Sequence, residues 1–121
     1  MIGIGVDLVD VARFRTSLTR TPGLVARLFT ADERAYCELR ADPTERFAVR
    51  FAAKEAVLKA LGVGLGAAGW HEIEVRRAES GEPSLLLHGR ARELAEERGV
   101  SSWLLTLSHT ATVAEAIAVA R

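Results

Sequence analysis

Asp7 lies in the run IGIGVDLV (residues 2–9), where a carboxylate among Ile4, Val6 and Leu8 is costly unless exposed, paired or bound to a metal. Midway along the chain, RFAVRFAAKEAVLKALG (residues 46–62) carries Glu55 and Lys59 four positions apart. That spacing places both on one flank of a helix. Arg46, Arg50 and Lys54 form a second row at intervals of four. Near the end, His109 and Thr110 follow the apolar run WLLTL. Carboxylates of this kind can hold a hard divalent cation, and Arg and Lys can hold phosphates. Each feature also has a plainer reading. Asp7 can cap the following helix, Glu55 and Lys59 can be an ordinary surface pair worth about 0.3–0.5 kcal/mol, and a strand-end His is commonly structural.

The elements that must position these groups can be read in order. Residues 2–9 predict a strand, β-branched and apolar, with glycines that permit close backbone approach. Asp10 is a candidate N-cap for a helix over 11–20, which Pro22-Gly23 breaks. Thr30-Ala31-Asp32-Glu33 is a capping box opening a helix to about Arg40. Asp42-Pro43-Thr44-Glu45 opens a helix that runs to Leu61, where Gly62 supplies the stop. A glycine-rich loop, VGLGAAG, follows. Residues 71–77 alternate as a half-buried strand, 80–83 form a turn, and 84–88 a second strand. Residues 89–98 read as a helix ending at Gly99, and 103–109 as a central strand. Residues 112–120 (TVAEAIAVA) stay open between an Ala-rich helix and a strand. Strands mixed with segregated helices predict an α+β fold, and 121 residues predict one compact domain spanning 1–121.

Composition narrows the function. Sixteen Lys+Arg balance sixteen Asp+Glu, which argues against nucleic-acid binding over a broad basic face. Cys37 stands alone, so no intrachain disulfide is expected, and a reducing cytoplasm is the natural compartment. No secretory segment and no membrane-spanning run is visible. GLGAAG lacks the Lys-Ser/Thr of a P-loop, and there is no HExxH, no Cys/His zinc spacing and no GxSxG. His71 and His88 have no evident partners in sequence and read as structural.

Four segments occur together in one order: GIGVDLVDVARF, LFTADERAYC, RFAVRFAAKEAVLKALGVGLG and a late SHT. The combination resembles the short, bacterial type of holo-acyl-carrier-protein synthase, a 4′-phosphopantetheinyl transferase family, over essentially the whole chain.

The resemblance implies an antiparallel sheet packed against helices. It implies transfer of the phosphopantetheine arm of coenzyme A to a serine of an apo acyl carrier protein, with adenosine 3′,5′-bisphosphate released and Mg2+ as the metal. The family's metal aspartate falls on Asp7 and its metal glutamate on Glu55. The second lysine of the motif falls on Lys59, its glycine on Gly62, its upstream arginine on Arg50, and the late pair on His109 and Thr110. Glu55, Lys59 and His109 are the expected catalytic groups. Arg50, Lys54, Lys59, Gly62, His109 and Thr110 are expected to bind coenzyme A, with Arg50 and Arg46 or Lys54 suited to its 3′-phosphate. Arg13, with Arg20, is expected to dock the acidic carrier protein. The family is homotrimeric, with sites between subunits. A rival reading from another class is a non-catalytic, oligomeric module that binds coenzyme A or a nucleotide.

Overall fold

A computed structural model describes residues 1–121. Its first strand, β1 (Gly3–Asp10), lies directly on a 17-residue helix, α4 (Thr44–Ala60). The two glycines of GIG make this contact possible. A Cβ on Gly3 would collide with the Ala60 carbonyl oxygen, and one on Gly5 with that of Ala56. Gly5→Ala therefore has only backbone to push against. It is expected to lower the unfolding free energy by about 1–3 kcal/mol, read as a lower urea midpoint with an unchanged slope.

Asp10 accepts a hydrogen bond from the Arg13 amide at 2.9 Å and so caps α1 (Val11–Arg20). The capping reading thus belongs to Asp10 and leaves Asp7 without it. A short helix, α2 (Leu24–Leu28), follows the Pro22-Gly23 break. Helix α3 (Ala31–Cys37) opens with the expected capping box: Thr30 Oγ1 accepts from the Glu33 amide and Glu33 Oε1 from the Thr30 amide. Asp42 Oδ1 accepts from the Thr44 amide at the entrance to α4. At its exit Gly62 takes φ +70°, and its amide and that of Val63 bond to the Lys59 and Leu58 carbonyls, a Schellman stop.

A 3₁₀ turn (Trp70–Glu72) leads into β2 (Ile73–Arg77), which pairs antiparallel with β3 (Pro83–Leu87). Helix α5 (Gly89–Glu97) precedes β4 (Trp103–His109) and β5 (Val113–Ala120). The three-stranded sheet has the order β1-β5-β4, antiparallel throughout. The open segment 112–120 is therefore a strand. It takes the centre of that sheet, the place expected for 103–109. Ala114, Ala116, Ala118 and Ala120 are fully buried beneath α4, whose own facing residues include Ala52, Ala53 and Ala56. Small side chains on both surfaces let helix and sheet approach closely. The α+β expectation holds.

The opposite face of the sheet carries Ile4, Val6, Leu8 and Leu104, 43–63% exposed, beside half-buried Ile117 and Val119. No helix is long and apolar enough to cross a membrane.

Candidate active site

Strand alternation puts Asp7 on the same face as Gly3 and Gly5, towards α4. Its side chain is only 11% exposed. Lys59 reaches back from α4 and donates to Asp7 Oδ1 at 2.9 Å and to the Val6 carbonyl at 3.0 Å. Asp7 Oδ2 is buried and no N–H or hydroxyl donates to it. Glu55 stands one helical turn before Lys59. Burial first, then the Asp7 charge and a hydrogen bond from the protonated Glu55 carboxyl to Asp7, push the Glu55 carboxyl up to about 7, against the pull of Lys59. The Asp7 hydrogen bond raises the Lys59 ammonium, so it stays cationic. These three groups line a cleft of about 270 Å³ with Leu58, Val63, Gly64 and Leu65. Val63, Gly64 and Leu65 belong to the glycine-rich loop.

The raised Glu55 value has a consequence for stability. The fold favours the protonated acid, so this group stabilises the chain below its unfolded pKa of about 4.5. That contribution is lost as pH rises through about 7. With divalent ions chelated, the melting temperature is expected to fall across this window, and the fall should be smaller in Glu55→Gln. Thermal melts in EDTA at pH 4.5 to 8 read both.

A second cluster sits at the other end of α4. A pocket of about 290 Å³ is lined by Tyr36, Arg40, Arg46, Arg50, Arg77 and His109, with Val49 and Leu107. Arg50 is 4% exposed, and its one hydrogen bond is a long one, 3.3 Å, to the Arg46 carbonyl. The nearby arginine that does pair with acids is Arg76, with Asp32 and Glu74. None of the four arginines lining the pocket has a carboxylate within 4 Å; the acid present, Glu45, accepts from His109 Nδ1 at 2.9 Å. A half-enclosed concentration of uncompensated guanidinium groups can hold an anion.

Glu45 and Glu55 are ten residues apart on one helix, about 15 Å along its axis. One chain therefore does not bring His109 and Thr110 to Asp7, Glu55 and Lys59. Thr110 is occupied in the β4–β5 turn, where its Oγ1 accepts from the Thr112 and Val113 amides. Gly62 shapes the helix exit beside the first cleft.

Lys54 corrects an expectation. It is fully buried and donates to Glu33 Oε1 (2.8 Å), the Trp70 carbonyl (2.9 Å) and the Ile73 carbonyl (2.5 Å). All three of its donors are committed, so none is left for a phosphate. Burial pulls its pKa down and Glu33 opposes the shift. The physical reason lies in the helix. Steps of four residues rotate by about 40°, so the row Arg46, Arg50, Lys54 turns from the pocket into the core.

Sequence reasoning missed Tyr36, Arg40 and Arg77 as pocket residues and Glu45 as the partner of His109. No local signal marks them. Arg13 and Arg20 are exposed on α1, and a shallow groove of about 240 Å³ runs beside Arg13 between Leu8 and Ser17. The Cys37 thiol is fully buried, and burial raises it to about 11, so it is no nucleophile. His71 meets the Ala26 carbonyl at 2.7 Å and His88 meets Glu74 at 2.9 Å.

Comparisons with known proteins place these features. The family model described as the 4′-phosphopantetheinyl transferase superfamily matches residues 3–118. A protein of Moorella thermoacetica named holo-[acyl-carrier-protein] synthase is 47% identical over 98% of this chain and 93% of its own length. One of the same name from Clavibacter michiganensis subsp. michiganensis is 50% identical over 97% and 92%. The crystal structure of holo-[acyl-carrier-protein] synthase from Neisseria meningitidis superposes with a TM-score of 0.91 at 29% identity, covering 100% of this chain and 98% of that one. The Helicobacter pylori enzyme in complex with coenzyme A gives 0.86 at 28% identity, covering 98% and 99%.

Proposed function

The chain belongs to the 4′-phosphopantetheinyl transferase superfamily, and from that premise we propose that residues 1–121 act as one transferase domain. It moves the 4′-phosphopantetheine arm of coenzyme A onto a serine of an apo acyl carrier protein and releases adenosine 3′,5′-bisphosphate. The curated relatives bear the name of this activity, and the Helicobacter pylori structure holds coenzyme A.

One observation carries the reading: two buried or half-buried acids, Asp7 and Glu55, close enough to share a hydrogen bond, with the pKa of Glu55 raised to about 7 and no N–H or hydroxyl donating to Asp7 Oδ2. Lys59 balances one of the two acids, and the pair still carries an uncompensated negative charge once Glu55 ionises. Their oxygens are hard donors, and Mg2+ typically takes only one or two carboxylates, with phosphate oxygens and waters for the rest. A pair of acids with no third ligand nearby fits that ion. Asp7 and Glu55 would hold it, and when bound it supplies charge neutralisation and alignment to the diphosphate.

The remaining work falls to the protein's own side chains. Lys59, held cationic by Asp7, neutralises charge on the departing phosphate. His109, oriented by Glu45, presents its other ring nitrogen to the nucleotide side of coenzyme A, with Thr110 beside it. Arg50 and Arg46 take the 3′-phosphate. Arg13 and Arg20, seven residues apart on one face of α1, meet the acidic carrier protein.

The two clusters lie too far apart in one copy to grip one diphosphate and its nucleotide together. The exposed apolar face of the sheet supports self-association. A homotrimer, with Asp7, Glu55 and Lys59 of one copy facing the arginine pocket and His109 of the next, completes the site. A cytoplasmic setting suits both substrates and the reduced, buried Cys37.

Mass spectrometry tests the activity. Protein, coenzyme A, Mg2+ and apo carrier protein should yield a carrier heavier by one phosphopantetheine. No gain across several carrier proteins would leave a module that binds coenzyme A without catalysis.

A further inference from the structure

The arginine pocket is assembled around one ring. The guanidinium carbons of Arg46, Arg50 and Arg77 lie 4.4, 4.5 and 5.8 Å from the centroid of Tyr36. Arg46 also donates to the Tyr36 carbonyl at 3.0 Å, and Arg77 donates to the Tyr36 hydroxyl at 2.9 Å. Three like charges without acid partners repel one another. Without a ligand, something must hold them in place, and the negative face of an aromatic ring is suited to that.

The three arginines come from two elements and Tyr36 from a third. Arg46 and Arg50 lie on α4, Arg77 ends β2, and Tyr36 is on α3. The same three elements are bolted together behind the ring. Glu33, one helical turn before Tyr36, accepts from Lys54 of α4 at 2.8 Å and from the Val75 amide of β2 at 2.8 Å. This buried junction fixes α3 against both partners, and therefore fixes where the ring stands.

We propose that Tyr36 is a positioning residue that preassembles Arg46, Arg50 and Arg77 into a phosphate-monoester subsite and so sets the preference for coenzyme A over the same molecule lacking its 3′-phosphate. The proposal rests on the reading that this pocket receives the 3′-phosphate. Tyr36 touches no reacting atom. Its contribution is the order it imposes on three flexible cations before the ligand arrives, which lowers the cost of binding.

The test compares apparent KM for coenzyme A and for dephospho-coenzyme A in Tyr36→Leu, Tyr36→Met, Tyr36→Phe and Arg46→Gln. Tyr36→Leu is expected to raise KM for coenzyme A about tenfold and to leave kcat and KM for dephospho-coenzyme A within about twofold. Tyr36→Met fills the space without an aromatic face and gives the same result should the leucine variant fail to fold. Tyr36→Phe keeps the face and stays within about threefold of the parent for both substrates. Equal changes for both substrates, or none, in the Leu and Met variants would overturn the role of Tyr36; Tyr36→Phe behaving like Tyr36→Leu would overturn the part given to the ring face and leave the Arg77–hydroxyl bond as the positioning contact. Arg46→Gln separates the two levels. If it raises KM for coenzyme A alone while the Tyr36 variants do not, the pocket reading stands and the Tyr36 proposal fails. If Arg46→Gln does not discriminate either, both fall.

Discussion

Asp7→Ala and Glu55→Ala are each expected to lower kcat/KM by at least about a thousandfold, with no loss of melting temperature in the Asp7 variant. The two halves of this result come from the same geometry. No N–H or hydroxyl donates to the buried Asp7 Oδ2, and the hydrogen bond Asp7 shares with Glu55 lasts only while Glu55 is protonated, so the fold gains little from it at neutral pH and above. Its other oxygen is paired with Lys59, but that lysine is 55% exposed and regains water when the partner goes. Removing Asp7 also removes a charge that raises Glu55, so Glu55 should titrate below about 7 in that variant. Carboxyl chemical shifts against pH read this directly. Activity within tenfold of the parent in either variant would remove that residue from the cation site. A large fall in melting temperature for Asp7→Ala would mean that the acid is structural.

Mixing two inactive variants is expected to restore activity. Asp7→Ala damages the cleft end of α4 and His109→Ala the pocket end. If each site is built from the cleft of one copy and the pocket of the next, a co-refolded mixture contains junctions where both halves are intact. Random assembly of equal amounts gives about one such junction in four, so about a quarter of parental turnover per site should return. Each variant refolded alone gives none. In the proposed assembly the apolar sheet face pairs, so replacing Ile4, 56% exposed in the single copy, by Ile4→Glu should prevent both the assembly and the rescue. Sedimentation velocity follows the first and the carrier mass shift the second. No recovery from a mixture shown to co-assemble would mean that the two clusters do not serve one site.

Where the chain would bend, stop and start was largely legible, because those decisions are local. Thr30 and Glu33 close a capping box within four residues, and Gly62 ends α4 where a left-handed residue is required. The open segment 112–120 shows what such reasoning lacked. Its alternation of Ala with Glu115, Ile117 and Val119 has the period of a strand, yet alanine's helix propensity points the other way. Burial of every second alanine beneath α4 decides between them. Lys54 shows the opposite failure. On the sequence it belongs to a basic row; in the fold it meets Glu33, 21 residues away, and spends every donor in the core.

By itself, the amino-acid sequence determined the helix and strand types at their capped ends, the candidate acids Asp7 and Glu55, the lysine one turn on, and the family to which such a pattern belongs. Tertiary structure alone decided which charges were left without partners. Spacing along a chain states which side chains share a flank. Only packing states whether an opposing element brings an acid to meet each base, and it does so for Lys54 while leaving Arg50 bare. The candidate site lies in that remainder: a close acid pair at one end of α4, and guanidinium groups without acids within 4 Å at the other.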